Sequence, residues 1–184
     1  HRIKKYNSSG SLLKTIGGDG ASNGLFHYPW RIDIDAGDNI YVSDLYNHRV
    51  QKLDANGKWL KNFTGITYPY SVAVDSSGNV YAGNNYIRKW DSSGTFITQW
   101  RNFGSQGLSA YNGSVYATDS AYKKIYKYSD TGSLQASWST SNNAQPYDVE
   151  VNSNGVYVGT GSSHTVQKYS HGGVYSMQWG GYGT

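Results

Sequence analysis

The chain has 184 residues, of which 23 are glycine and 18 tyrosine, with 37% hydrophobic and 15% charged residues and a formal net charge of +4. With no cysteine, a disulfide framework and a thiolate metal site are both excluded, and no apolar run approaches the roughly 20 residues of a membrane-spanning helix. Tyr and Thr suit pleated strands while Gly and Asn suit tight turns, so the composition favours strands over helices; the Lys and Arg residues, spread along the whole chain, read as a solvated face rather than one anion-binding patch.

The opening HRIKKYNSSGSLLKTIG, residues 1–17, places two short apolar runs around a Ser-Gly turn. It is the back half of a unit that then recurs whole. The first complete copy spans 28–63, and its apolar runs Ile32–Asp35, Ile40–Ser43, Val50–Leu53 and Trp59–Phe63 are joined by turn sequences that include AGDN and DANG. Further copies follow at 68–100, 107–138 and 145–179. Pro29, Pro69 and Pro146 stand 40 and then 77 residues apart, one and then two periods of the repeat, and the copy at 107–138 has lost its proline. Runs this short, with a period of 2, predict a four-stranded antiparallel meander per copy, strands a to d. One such sheet cannot bury both faces alone. Stacking neighbours does, and the ring that ends strand d recurs at Phe63, Trp100, Trp138 and Trp179, each able to bury about 150–250 Å². A period near forty with four strands per unit predicts an all-β propeller of about four and a half blades. Because the first copy lacks strands a and b, the expectation is a piece of a longer ring, or a ring completed by another chain.

Within 39–60, NIYVSDLYNHRVQKLDANGKWL resembles the NHL-repeat family, whose copies run Gly-rich linker, Pro, strand, G-N-[IV]-Y-V-x-D, N-H-R-[IV]-x-K, D-x-x-G. The resemblance implies a mostly six-bladed ring that binds proteins; some members bind RNA, and a few relatives are lyases or lactonases, the lactonases holding calcium in the axial channel. Two copies depart from the pattern: Asn84, Asn85 and Tyr86 shorten one b–c loop, and Thr160 with Thr165 replaces the acid and base of another. Where the charges are kept, Asp44 with Arg49 and Asp119 with Lys124, an ion pair five residues apart is expected to pin the b–c loop.

His1, His48 and His164 fall in one slot of their copies, before strand c. Equivalent loops of different blades lie on a wide circle, whereas a zinc ion needs three ligands each at about 2 Å, so no metal site is assigned; His27 and His171 suggest no cluster either. Asp33, Asp35, Asp75, Asp148 and Glu150 belong to or flank the a strands, which line the axis, and an axial carboxylate site would be the enzymatic alternative. Serine-hydrolase and zinc-protease signatures are missing. The runs Gly17–Gly20 and Gly180–Gly183 are inter-blade linkers, not phosphate loops. Asn7, Asn62 and Asn112 open N-x-[ST] triplets compatible with glycosylation.

In an antiparallel meander the d–a linkers and b–c loops share one face and the a–b and c–d turns the other. The second carries generic turns. The first gathers Trp30, Arg31, Tyr46, Tyr70, Tyr86, Tyr122, Lys123 and Tyr147, rings with polar tips beside cations, the residue types that dominate interface energetics. The expected function is therefore non-catalytic: a binding or scaffolding propeller that takes a protein segment or a glycan on this face, with no cofactor. The alternatives are RNA binding through Arg31, Arg49, Lys123 and Lys124 with aromatic stacking, and a metal-dependent lyase or lactonase at the axis. The low charge and Ser/Asn/Tyr/Gly-rich composition resemble prokaryotic exported propellers, so an extracellular or cell-surface location is expected.

Overall fold

The computed structural model describes residues 1–102, 104 and 106–182. A two-stranded hairpin, β1 (Ile3–Tyr6) and β2 (Leu12–Ile16), precedes four antiparallel four-stranded sheets. These are β3 (Pro29–Ile34), β4 (Ile40–Asp44), β5 (Arg49–Leu53) and β6 (Trp59–Phe63); then β7 (Ser71–Val74), β8 (Val80–Gly83), β9 (Tyr86–Trp90) and β10 (Phe96–Arg101). The third comprises β11 (Leu108–Tyr111), β12 (Ser114–Asp119), β13 (Lys124–Ser129) and β14 (Leu134–Ser139), and the fourth β15 (Pro146–Asn152), β16 (Gly155–Thr160), β17 (Thr165–Tyr169) and β18 (Tyr175–Gly180). Every sheet is a simple meander, and the first strands β3, β7, β11 and β15 stand beside one another in that order. The chain is a β-propeller arc with its a strands at the axis.

The core lies between sheets, as expected of units that cannot bury both faces alone. Tyr41, Val50 and Phe63 of one blade pack on Val72, Val74, Val80 and Trp90 of the next, and the hairpin contributes Ile16 to a cluster with Phe26, Ile40, Val42 and Leu53. The strand-d ring is the recurrent seal. Phe63 meets Trp90 at 5.9 Å between centroids, Trp100 meets Tyr128 at 5.9 Å and Trp138 meets Tyr169 at 6.1 Å. Trp100 and Trp138 also lie on the c–d turn glycine of the next blade. A Cβ at Gly132 would come within 2.6 Å of Trp100, and one at Gly173 within 2.5 Å of Trp138, at φ of +92° and +88°. These two c–d turns, each opened by a serine (Ser129, Ser170), therefore need glycine both for backbone conformation and for the incoming indole. Trp179, on the last strand, has no following blade among the described residues and is 45% exposed.

Strand a begins earlier than the apolar run predicts. Pro29 already pairs with Asp44, and a bulge separates it from the regular ladder at Ile32. Proline is tolerated there because it opens the strand, and the bulge takes Trp30 and Arg31 out of the ladder: the Arg31 N–H donates to Ser43 Oγ at 2.8 Å. The same irregularity recurs between Pro146 and Asp148.

The a–b turns are held by half-buried carboxylates. Asp35 accepts from the N–H groups of Gly37 and Asn39, the Asn39 amide and the Tyr41 hydroxyl. Burial alone would raise its pKa, but these donors outweigh it and hold Asp35 at about 2. A folded-state pKa below the unfolded value means stability that is complete above about pH 4 and drains away as pH falls towards 2. Asp35→Asn is expected to cost roughly 1–2 kcal/mol at pH 7 and to flatten that part of the acid limb; urea unfolding from pH 2 to 7 measures both. Asp33, Asp148 and Glu150 are shifted the other way, chiefly by desolvation at the axis, so their protonation partly offsets the acid loss at and just above the ordinary carboxylate range.

Candidate ligand-binding face

The b–c loops are pinned in three different ways. In the first whole blade Asp44 is fully buried and accepts from Arg49 Nε at 2.8 Å, Gln51 Nε2 at 2.9 Å, Asn47 Nδ2 at 2.9 Å and the His27 N–H at 2.7 Å. Where Thr160 and Thr165 replace the charges, their hydroxyls bond each other at 2.8 Å and engage Ser163. The expected Asp119–Lys124 pair is not formed: Asp119 Oδ1 instead accepts the Tyr122 N–H at 2.9 Å, and Oδ2 is buried without a hydrogen-bond partner. The two residues are opposite in the ladder, but opposition of Cα atoms does not bring a lysine ammonium back onto a carboxylate already drawn into its own loop.

The recurrent slot before strand c has a structural explanation. His48, Lys123 and His164 all adopt left-handed backbone, φ +55°, +56° and +53°, a conformation histidine tolerates better than most residues. The histidine side chain then reaches the next linker, where His48 Nδ1 accepts the Tyr68 N–H at 3.2 Å and His1 Nδ1 the Tyr28 N–H at 3.0 Å. Tyr28 and Tyr68, each before a proline, are themselves left-handed at φ +64° and +47°. Their strained backbone is locked by the preceding b–c loop, and it turns both rings outward.

Tyr28 and Tyr68 were not among the predicted residues, and they join the predicted ones. Tyr28 packs on Trp30 at 6.4 Å and on Tyr46 at 5.3 Å; Tyr46 meets Tyr68 at 6.0 Å; Trp30 meets Tyr70 edge-on at 6.1 Å; His48 meets Tyr68 at 4.4 Å. Trp30, Tyr46 and Tyr70 thus share one exposed aromatic array. It borders a depression of about 440 Å³ lined by Thr67, Tyr68, Tyr70, Asn84, Asn85 and Gln106. Tyr86 lines a smaller pocket with Asn84, Arg88 and Gln99. Tyr147 is exposed and packs on Gly161, where a Cβ would come within 2.4 Å of its ring. Tyr122, 63% exposed, sits on the b–c loop next to Lys123.

Arg31 leaves the array and points to the axis. Its Nη2 donates to the Tyr147 carbonyl at 3.0 Å and lies 3.7 Å from Asp148, so it ties the first whole blade to the last. Arg49, counted above among possible RNA contacts, is 8% exposed and committed to Asp44 and the carbonyls of Ser22 and Leu25. The axial carboxylates are engaged by backbone: Asp33 accepts the Val74 and Ile34 N–H groups, and Asp148 the Val149 N–H. Their oxygens do not converge in threes; among the described residues only His1, Asp19 and His27 do so. His27, isolated in the sequence reading, is therefore part of a cluster.

The NHL repeat family matches residues 26–53. NHL repeat-containing protein 3 of Mus musculus and that of Homo sapiens are each 32% identical to this chain over 130 residues, covering 60% of it and 38% of their own length. The chain thus spans well under half of these relatives. Among solved structures, the virginiamycin B lyase of Staphylococcus aureus superposes with a TM-score of 0.74 at 14% identity, over 97% of this chain and 62% of that one. A streptogramin B lyase gives 0.75 at 15% identity over 100% and 63%, and the hydrazine synthase of Kuenenia stuttgartiensis 0.70 at 16% over 88% and 52%. At such identities the likeness is one of fold.

Proposed function

We propose that this chain, which belongs to the NHL-repeat family of β-propellers, is a non-catalytic recognition module whose exposed aromatic array engages an extended protein segment or a glycan. The observation that carries the reading is the run Tyr46–Tyr28–Trp30–Tyr70, ring against ring, on one face and more than a third exposed at every member. Such rings offer stacking surface and hydroxyl or indole donors together. Their backbones are fixed by the His1 and Asp44 contacts and by the bulge at Pro29, so little ordering cost falls on binding. The same surface explains the choice of tyrosine over leucine, which would supply area without polar tips.

An array displaying both extended peptides and oligosaccharides tests this. Trp30→Ala and Tyr70→Ala are each expected to weaken the best binder at least about tenfold, the loss of one anchoring ring. Lys58→Ala, on the opposite c–d turn, should change nothing. Binding that survives both ring deletions would overturn the assignment of the face.

A second reading, lyase chemistry, draws on the structural neighbours and on Arg31 beside the axial carboxylates. One neighbour, a catalytically inactive H270A virginiamycin B lyase, is described with quinupristin, and that compound is the direct probe. Incubation is expected to leave it unchanged; turnover lost in Arg31→Ala would replace the binding reading with the catalytic one.

A further inference from the structure

The linker between the opening hairpin and the first whole blade is longer than the other linkers, and its extra residues build a compact loop. Phe26 is fully buried at its centre, Asp19 forms a bridge with it, and the Phe26 N–H donates to the Gly18 carbonyl at 2.9 Å. Gly17 is required because a Cβ there would come within 2.4 Å of the Phe26 ring, at φ +83°. This anchoring fixes Asp19 and His27 on either side of the buried ring, and the His27 N–H is held by Asp44. The result is a convergence of three ligand side chains from distant positions. His27 Nδ1 lies 3.0 Å and His1 Nδ1 3.3 Å from the same oxygen, Asp19 Oδ1, with the two imidazoles 5.0 Å apart.

We propose that His1, Asp19 and His27 form a binding site for a divalent transition-metal ion such as Zn²⁺ at the edge of the aromatic face. Two donors bound side by side to one ion at about 2.0–2.1 Å stand about 2.9–3.4 Å apart, which is the spacing found here between each histidine nitrogen and Asp19 Oδ1, and all three ligand atoms lie within 4.8 Å of one another. Two imidazoles and one carboxylate select zinc, nickel or copper over calcium and magnesium. The hydrogen bonding leaves the cluster short of protons. His1 Nδ1 accepts the Tyr28 N–H, so it carries a lone pair and faces the Asp19 carboxylate as one acceptor against another. His27 alone can donate to Asp19. A cation resolves this: His27 takes its neutral Nε2–H tautomer and both Nδ1 lone pairs turn to the metal. The ion then competes with the Tyr28 N–H for His1, and through Tyr28 it acts on the ring array. The cluster is exposed, with side chains 36% to 62% accessible, so the remaining coordination positions are open to solvent or to a ligand on the face.

The test uses the chelator-treated chain and ZnCl₂ alone, by calorimetry and by amide NMR. One saturable site is expected, weakened at least about tenfold in Asp19→Asn and in His27→Ala. His48→Ala should bind like the parent, since His48 occupies the equivalent slot without the second and third ligands. On addition of Zn²⁺ the Tyr28 amide should shift while the parallel Tyr68 amide, held by His48, stays in place. Absence of saturable binding up to about 1 mM, undiminished binding in His27→Ala, or equal shifts at Tyr28 and Tyr68 would each overturn the site.

Discussion

Replacing Asp44 with alanine is expected to lower the unfolding free energy by about 3–5 kcal/mol, the usual cost of leaving a buried charge without its partner. Arg49 is 8% exposed and Asp44 is fully enclosed, so water cannot take the place of the lost carboxylate. Four donors lose their acceptor at once: the guanidinium, the Gln51 and Asn47 amides and the His27 N–H. The last two tie the b–c loop and the incoming linker together, and the damage should spread to the aromatic array through Tyr46 and Tyr28. The chain contains its own control. In the last blade Thr160 and Thr165 fill the same places with hydroxyls bonded to one another. The double replacement Asp44→Thr with Arg49→Thr removes both charges and is expected to recover part of the loss, because a hydroxyl pair leaves no unpaired ion buried. Urea unfolding of the two variants beside the parent gives both values; a double variant less stable than Asp44→Ala would show that the charge pair itself, not its imbalance, holds the loop.

The blades were legible in the sequence because they depend on local rules. Alternating apolar residues, D-x-x-G turns and the spacing of Pro29, Pro69 and Pro146 specify strands, turns and period without reference to the tertiary fold. The strand-d rings could likewise be read as seals between blades, since nothing else in a lone sheet would bury a tryptophan. Features that depend on the path of the backbone between blades were not legible. The bulge after Pro29 shifts the start of β3 by three residues from the apolar run, and only the pairing with Asp44 reveals it. Asp119 and Lys124 have the right spacing for an ion pair, but Asp119 is drawn to the Tyr122 N–H. Tyr28 and Tyr68 are conspicuous afterwards as Tyr-Pro pairs preceded by a slot histidine, a signal the sequence held but which acquires meaning only when successive blades are side by side. His1, Asp19 and His27 could not have been grouped from sequence, because the loop centred on Phe26 determines their approach.

Trp138→Ala is expected to cost about 3 kcal/mol, the lower end for a tryptophan because its ring is only partly buried. The indole lies on Gly173 and against Tyr169 and Tyr116, so its loss opens the seam between the last two blades, where Gly173 cannot reach in to refill the space. Trp179 is chemically the same residue at the same place in its own blade, but among the described residues no further blade covers it. Urea unfolding of Trp138→Ala and Trp179→Ala, side by side with the parent, therefore asks whether these sheets are held together by rings seated on the neighbouring blade. The expected result is a loss of about 3 kcal/mol for the first and less than about 1 kcal/mol for the second; equal losses, or a negligible one at Trp138, would contradict it.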